Sequence, residues 1–260
     1  MASFVSQFVA APAGAVECFV AHGQADPANG SFVLVHGIQG TAAAWAGIAP
    51  RLDSGRAVLM PNLRGRGRSP SPDDTAAYTL GHFADDLAAV IASAPGPVTL
   101  VGWSMGVLVT LTYIARFGSA KLDGLLLASG TAHPGNEAVW FHAETTEGVA
   151  QEARARAARL GLTAYATSTA VAGAWASVRA ADLRPVLTQI ELPTRVLHCE
   201  LDDQCPLDHG RLIAASIPNA SLEVWPGAGH NLMAEDPARF AQSVLRLYAA
   251  ARSDRLKTTQ

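Results

Sequence analysis

Cysteine is scarce in this chain, with Cys18, Cys199 and Cys205 the only three among 260 residues. So few thiols, odd in number, exclude the disulfide framework of a small secreted domain and point to reduced thiols in a cytoplasmic protein. Cys199, Asp202, Cys205 and His209 are the one alternative use of these thiols, as a metal site. The two cysteines do not form a close pair, however, and no second Cys/His knuckle exists, so no metal is expected. Charge is sparse as well: charged residues make up 16% of the chain, the net charge is −3, and the pI is near 6.2. There is no basic field to hold a nucleic acid. No uninterrupted apolar run approaches the ~18 residues that cross a bilayer. The amino-terminal stretch MASFVSQFVAAPAGAV has no Lys or Arg, the first basic residue being Arg51, so it lacks the charged region that opens a secretory signal. The expectation is a soluble, cytoplasmic protein with neither a nucleic-acid nor a membrane partner.

What is present is apolar mass. Hydrophobic residues make up 49% of the sequence, enough for one sizeable core, and no repeat or low-complexity linker divides it. Short aliphatic runs bounded by glycine or polar turns recur at Phe32 to Val35, Ala57 to Met60, Val98 to Val101, Leu122 to Leu127, Arg195 to Leu197 and Leu222 to Trp225. They read as buried strands. Helical patterns lie between several of them; one puts Leu80, Phe83, Leu87, Val90 and Ile91 on one face and Asp85 and Asp86 on another. This alternation predicts an α/β fold with a mostly parallel central sheet flanked by helices. The alanine-rich segment 131–190, with Arg154, Arg156 and Arg159 close together, breaks the rhythm and is too long for an ordinary connection. It is expected to form a helical cap inserted after a central strand. The core then comprises residues 1–130 and 191–252, followed by a frayed tail over 253–260.

Gly102-Trp103-Ser104-Met105-Gly106 follows an apolar strand and precedes a helical run. A serine at so sharp a turn stands exposed at the sheet's carboxyl edge, with small residues two before and two after it to let the turn close. A serine hydroxyl needs a base, and the base needs an orienting carboxylate. His230, in Pro226-Gly227-Ala228-Gly229-His230-Asn231, follows the strand ending at Trp225. Asp202 and its neighbour Asp203 follow the strand at Arg195, and chemistry alone leaves either as the acid. After the strand at Phe32, His36-Gly37-Ile38-Gln39-Gly40 forms a glycine-bearing loop, with His36 as its brace. The backbone N–H groups of Ile38 and Met105 are candidate donors to an oxyanion. Gln39, Trp103, Trp140 and Trp175, together with Ile38 and Met105, are candidates for an apolar substrate pocket, although aromatics in a helical cap are equally expected as core.

From about Phe32 to Tyr248 the chain resembles the α/β-hydrolase fold family. The motifs that carry the likeness, in order, are His36-Gly37, Asn62-Leu63-Arg64-Gly65-Arg66-Gly67-Arg68-Ser69, Gly102 to Gly106, and Gly229-His230 after an acid loop. In such enzymes the acid stands in a stretch like His198-Cys199-Glu200-Leu201-Asp202 ahead of a proline, and the resemblance therefore selects Asp202 over Asp203. Cys199 replaces the family's frequent glycine, and Asn62 replaces the frequent aspartate that opens the arginine-glycine loop. Arg64, Arg66 and Arg68 are expected in a solvated turn, with a substrate-anion site as the other reading.

The resemblance implies a serine hydrolase of small carboxylic esters or lactones, with Ser104, His230 and Asp202 as nucleophile, base and orienting acid and no cofactor. Family members that dehalogenate alkanes or open epoxides carry aspartate where Ser104 stands. Those cleaving vinylogous diketones often have tryptophan after the histidine, where this chain has Asn231. Carbon–carbon hydrolysis, cofactor-free perhydrolysis and a non-catalytic receptor role remain as alternatives.

Overall fold

The computed structural model describes residues 4–21, 26–52 and 55–258, with side chains as far as Ala251. Its eight strands are β1 (Val5–Ala11), β2 (Gly14–Ala21), β3 (Ser31–Val35), β4 (Ala57–Pro61), β5 (Val98–Trp103), β6 (Leu122–Ala128), β7 (Thr194–Cys199) and β8 (Ala220–Trp225). They form one sheet in the order β1-β2-β4-β3-β5-β6-β7-β8. From β4 to β8 every pairing is parallel, and β1 and β2 add an antiparallel hairpin at one edge. The six apolar runs of the sequence are β3 to β8, whereas the hairpin carries no such run.

Strands β3 to β6 are buried at nearly every position because both faces are covered, whereas β8, at the sheet edge, is largely half-exposed. In β3, Phe32 and Leu34 enter one hydrophobic cluster and Val33 and Val35 the other. Helices α1 (Leu80–Ser93) and α2 (Met105–Phe117) cover the second of these faces, with Phe83, Leu87, Leu108 and Leu111 buried there. Between β6 and β7 run α3 (Thr146–Arg159), α4 (Ser168–Arg179) and the short α5 (Arg184–Leu187). Thr145 and Thr167 cap α3 and α4 by accepting from backbone N–H groups in their first turns. Helix α6 (Leu207–Ser216) follows β7, and the one-turn α7 (Leu232–Glu235) leads into α8 (Pro237–Thr258). Phe240, Val244 and Leu247 of α8 fill the other face of the sheet. The segment expected to fray continues α8 as far as Thr258, and 259–260 lie outside the described residues. No helix among the described residues is long and apolar enough to cross a membrane.

The arginine loop differs from the solvated turn that its charge suggests. Arg64 and Arg66 are buried, and of the three only Arg68 is exposed. Asp86, on the polar side of α1 by sequence, lies 1% exposed because it holds Arg64. Arg64 Nε donates to Asp86 Oδ2 at 2.9 Å, Nη2 to Oδ1 at 2.7 Å, and the Arg64 backbone N–H to Oδ2 at 3.0 Å. This is the bidentate geometry for which a planar guanidinium is suited. Asp86 thus supplies the negative charge that Asn62 lacks.

Strand order also locates the crevice. From β3 the chain passes to β4 on one side and then to β5 on the other, so the loops leaving β3 and β5 diverge at the carboxyl edge. Open α/β sheets hold ligands at such a reversal.

Candidate active site

Ser104 stands at the tip of β5, where the backbone turns directly into α2. Its φ is 58° and ψ −120°, a conformation an L-residue adopts only when its surroundings impose it. The turn is close-packed, and a methyl at Gly106 would overlap the Val35 carbonyl oxygen. The loop after β3 lies equally close, since a methyl at Gly37 would come within 3.1 Å of Ser104 Cβ.

Three loops bring distant side chains together here. Ser104 Oγ lies 3.0 Å from His230 Nε2, and His230 Nδ1 lies 2.9 and 3.0 Å from the two carboxylate oxygens of Asp202. Because an ionised carboxylate only accepts, Nδ1 carries the ring proton and Nε2 is left to accept from the serine hydroxyl. Burial raises the Asp202 pKa, but the hydrogen bond and charge of His230, with the N–H groups of Cys205 and Gln204, outweigh it and hold this carboxyl below its usual range. Asp203 is exposed and makes no bond to His230. Trp103 closes one side, with its ring 5.4 Å from the imidazole and its Nε1 donating to the His230 carbonyl at 3.1 Å. The Cys199, Asp202, Cys205 and His209 set does not assemble, and the described residues contain no cluster of three or more metal-binding side chains. Cys199 is spent instead on a 3.7 Å contact with Ser129.

The two peptide groups that flank Ile38 are each held by a buried side chain. His36 Nδ1 donates to the Gly37 carbonyl at 2.8 Å, while its Nε2 accepts from the Leu63 N–H at 3.3 Å, so one neutral tautomer satisfies both contacts. Arg66 donates through Nη2 to the Ile38 carbonyl and through Nη1 to the Arg64 carbonyl at 2.8 Å. Its guanidinium also lies 5.0 Å from the centre of the Phe83 ring. The positive charge of the arginine loop therefore serves as a brace beneath the β3 loop.

His36 ties this brace to acidity. Burial, with the Arg66 guanidinium adding to it, lowers the His36 pKa to about 3 from an ordinary 6.5. Between those values the unfolded chain takes up a proton that the folded chain refuses, so stability falls with pH by up to about 1.4 kcal/mol per unit. Asp202 acts in the same sense, since the stability from its lowered pKa is present above the unfolded value and lost as pH falls through the folded one. Melting temperature is expected to drop from about pH 7 to about pH 4, with a shallower slope in His36→Gln. Identical slopes in the two proteins would remove His36 from this account.

Ser104 and His230 open into a cavity of about 620 Å³, lined among others by Ile38, Gln39, Trp103, Arg156 and Leu162. Of the aromatic residues proposed for a pocket, Trp103 lines it. Trp140 and Trp175 do not: both are buried, with Trp175 on the inner face of α4 and its ring 5.5 Å from that of Trp140. A second cavity, about 710 Å³, contains neither Ser104 nor His230. Arg156 was indistinguishable in the sequence from the other arginines of its helix; only the inward face of α3 sets it apart.

A doubly covered, mostly parallel sheet with a serine on a strand–turn–helix at its carboxyl edge defines a structural class. A model of the alpha/beta hydrolase family matches residues 32–243, and the chain belongs to that family. "Probable oxidoreductase EphD" of Mycobacterium tuberculosis is 36% identical over 118 residues, 45% of this chain. The chain spans about a fifth of that relative's length. The pimeloyl-[acyl-carrier protein] methyl ester esterase of Sodalis glossinidius is 28% identical over 240 residues, covering 82% of this chain and 91% of the relative. Among solved structures, the esterase EaEST from Exiguobacterium antarcticum superposes with a TM-score of 0.76 at 21% identity, over 94% of this chain and all of that one. This last likeness speaks to the fold.

Proposed function

We propose that the protein is a serine hydrolase that cleaves a carboxylic ester or lactone. The observation that carries this reading is the continuous hydrogen-bonded run from Ser104 through His230 to Asp202. Ser104 Oγ attacks the carbonyl carbon while His230 Nε2 takes its proton, and Asp202 holds the ring in the tautomer that allows this. The oxyanion is received by the N–H of Ile38, on the braced peptide, and by that of Met105, in the first turn of α2. There the N–H groups have no intrahelical partner and the helix dipole is positive. Loss of one such donor costs about 2.7 to 4 kcal/mol of transition-state stabilisation. His230 then protonates the leaving alcohol, and a water activated by the same ring cleaves the acyl-enzyme.

The esterase activity in the name of the Sodalis relative is of this reaction class. Three free, buried thiols suit a reducing, cytoplasmic setting. The segment of α3 to α5 acts as a cap that shapes the substrate cavity, in keeping with Arg156 and Leu162 in its lining. The test is labelling with an aryl or alkyl phosphonate. One equivalent bound covalently at Ser104 is expected, and folded protein that stays unlabelled would rule the mechanism out.

A further inference from the structure

Resting on that reading, one side chain narrows the class of substrate. Among the described residues lining the Ser104 cavity, Arg156 is the only one with a full formal charge at neutral pH. It does not sit on the solvent side of α3 with Arg154 and Arg159, which are exposed. Arg156 lies on the inward stripe, next to the buried Ala153 and Ala157, whose small side chains leave it room. Its Nη2 donates to the Trp140 carbonyl at 2.9 Å, and its guanidinium lies 4.9 Å from the centre of the Phe141 ring.

These contacts orient the guanidinium without neutralising it. Among the described residues no carboxylate stands within 4.0 Å of it, and Glu152 and Asp203 act on it only from farther away. Glu152 is held away by the N–H groups of His142 and Ala143, each donating to one of its oxygens at 2.8 Å. Arg154 and Arg184, by contrast, each close an ion pair on the surface. A half-buried cation without a counter-ion in contact, on the wall of a cavity lined otherwise by apolar and neutral polar groups, is stabilised by whatever anion enters. The planar fork, one arm of which is held by Trp140, matches a carboxylate.

We propose that Arg156 is a specificity-determining residue that binds a free carboxylate on the substrate, distal to the scissile carbonyl, so that half-esters of dicarboxylic acids are preferred over neutral esters. The chain between the two ends lies along the apolar part of the lining, which includes Ile38, Leu160 and Leu162. The preference is electrostatic and adds to whatever shape selection the cavity makes.

Two measurements test this. In the first, kcat/KM is compared for monomethyl esters of linear dicarboxylic acids and for methyl esters of monocarboxylic acids of matched length. About a tenfold or larger preference for the half-ester is expected in the parent enzyme, falling to about one in Arg156→Gln and partly kept in Arg156→Lys. No preference in the parent enzyme, or one that survives in Arg156→Gln, overturns the proposal. In the second, monomethyl adipate and methyl hexanoate are titrated into Ser104→Ala, with and without Arg156→Gln, following tryptophan fluorescence. The half-ester is expected to bind more tightly than the neutral ester, and only while Arg156 is present. Equal affinities, or a difference that Arg156→Gln leaves intact, defeat the proposal whether or not any ester is cleaved. Absent turnover with half-ester selectivity intact would instead count against the hydrolase reading alone.

Discussion

Ser104→Ala is expected to lower turnover of an activated aryl ester by about 10⁴-fold or more while the folded state persists. The size of the effect follows from the division of labour at the site. Without Oγ there is no acyl-enzyme, and only the oxyanion donors and binding remain to act on an attacking water. The same position allows a stability control. Ser104 holds a φ of 58°, which alanine tolerates no better than serine, whereas glycine adopts it freely. Ser104→Gly is therefore expected to be as inactive as Ser104→Ala yet more stable than it, by roughly 0.5 to 1 kcal/mol in chemical denaturation. Activity kept in both variants would place the chemistry on another residue. Activity already absent in the parent protein would favour a receptor on a hydrolase scaffold.

The largest loss of stability is expected from Arg64→Ala. Its removal leaves the Asp86 carboxylate, 1% exposed, without the cation that accounts for its presence there. Breaking a buried pair from one side costs about 3 to 5 kcal/mol, roughly 6 to 20 °C in melting temperature for a domain of this size. Arg68→Ala, two glycine-spaced positions farther along, is expected to cost only about 1 kcal/mol. The Arg68 side chain is 64% exposed, and Asn62 and Ser6 continue to satisfy its partner Glu17. Equal losses in thermal melts of the two variants would mean that the loop is a surface turn.

Those two arginines illustrate where the sequence stops being legible. Strands β3 to β8 can be read directly because each carries a short, mostly apolar run, nearly continuous where both faces are buried, and the Ser104 turn can be read because its tight packing demands glycine at 102 and 106. The hairpin β1–β2 cannot, because Val5–Ala11 lies half-exposed at a sheet edge and its composition follows no single face. Nor can the role of Arg64, since its partner is 22 residues away on what the helical period assigns to a polar face. Local pattern records which side of an element is wet. It does not record which buried charge meets which. Arg156 is the same case within α3: three arginines of equal appearance, of which one alone turns inward.

The bracing of the Ile38 peptide has a further consequence, for salt. Asp86, Arg64, Arg66 and His36 are all buried, and His36 is uncharged near neutral pH. Dissolved ions screen charges over about 8 Å of water at physiological strength but barely reach pairs from which water is excluded. The Ile38 peptide, the proposed oxyanion donor of the β3 loop, is thus held by forces indifferent to ionic strength, whereas the half-exposed Arg156 would meet an anion from solution. Raising salt would separate the two, weakening the capture of an anionic substrate while leaving intact the alignment that acts on its carbonyl.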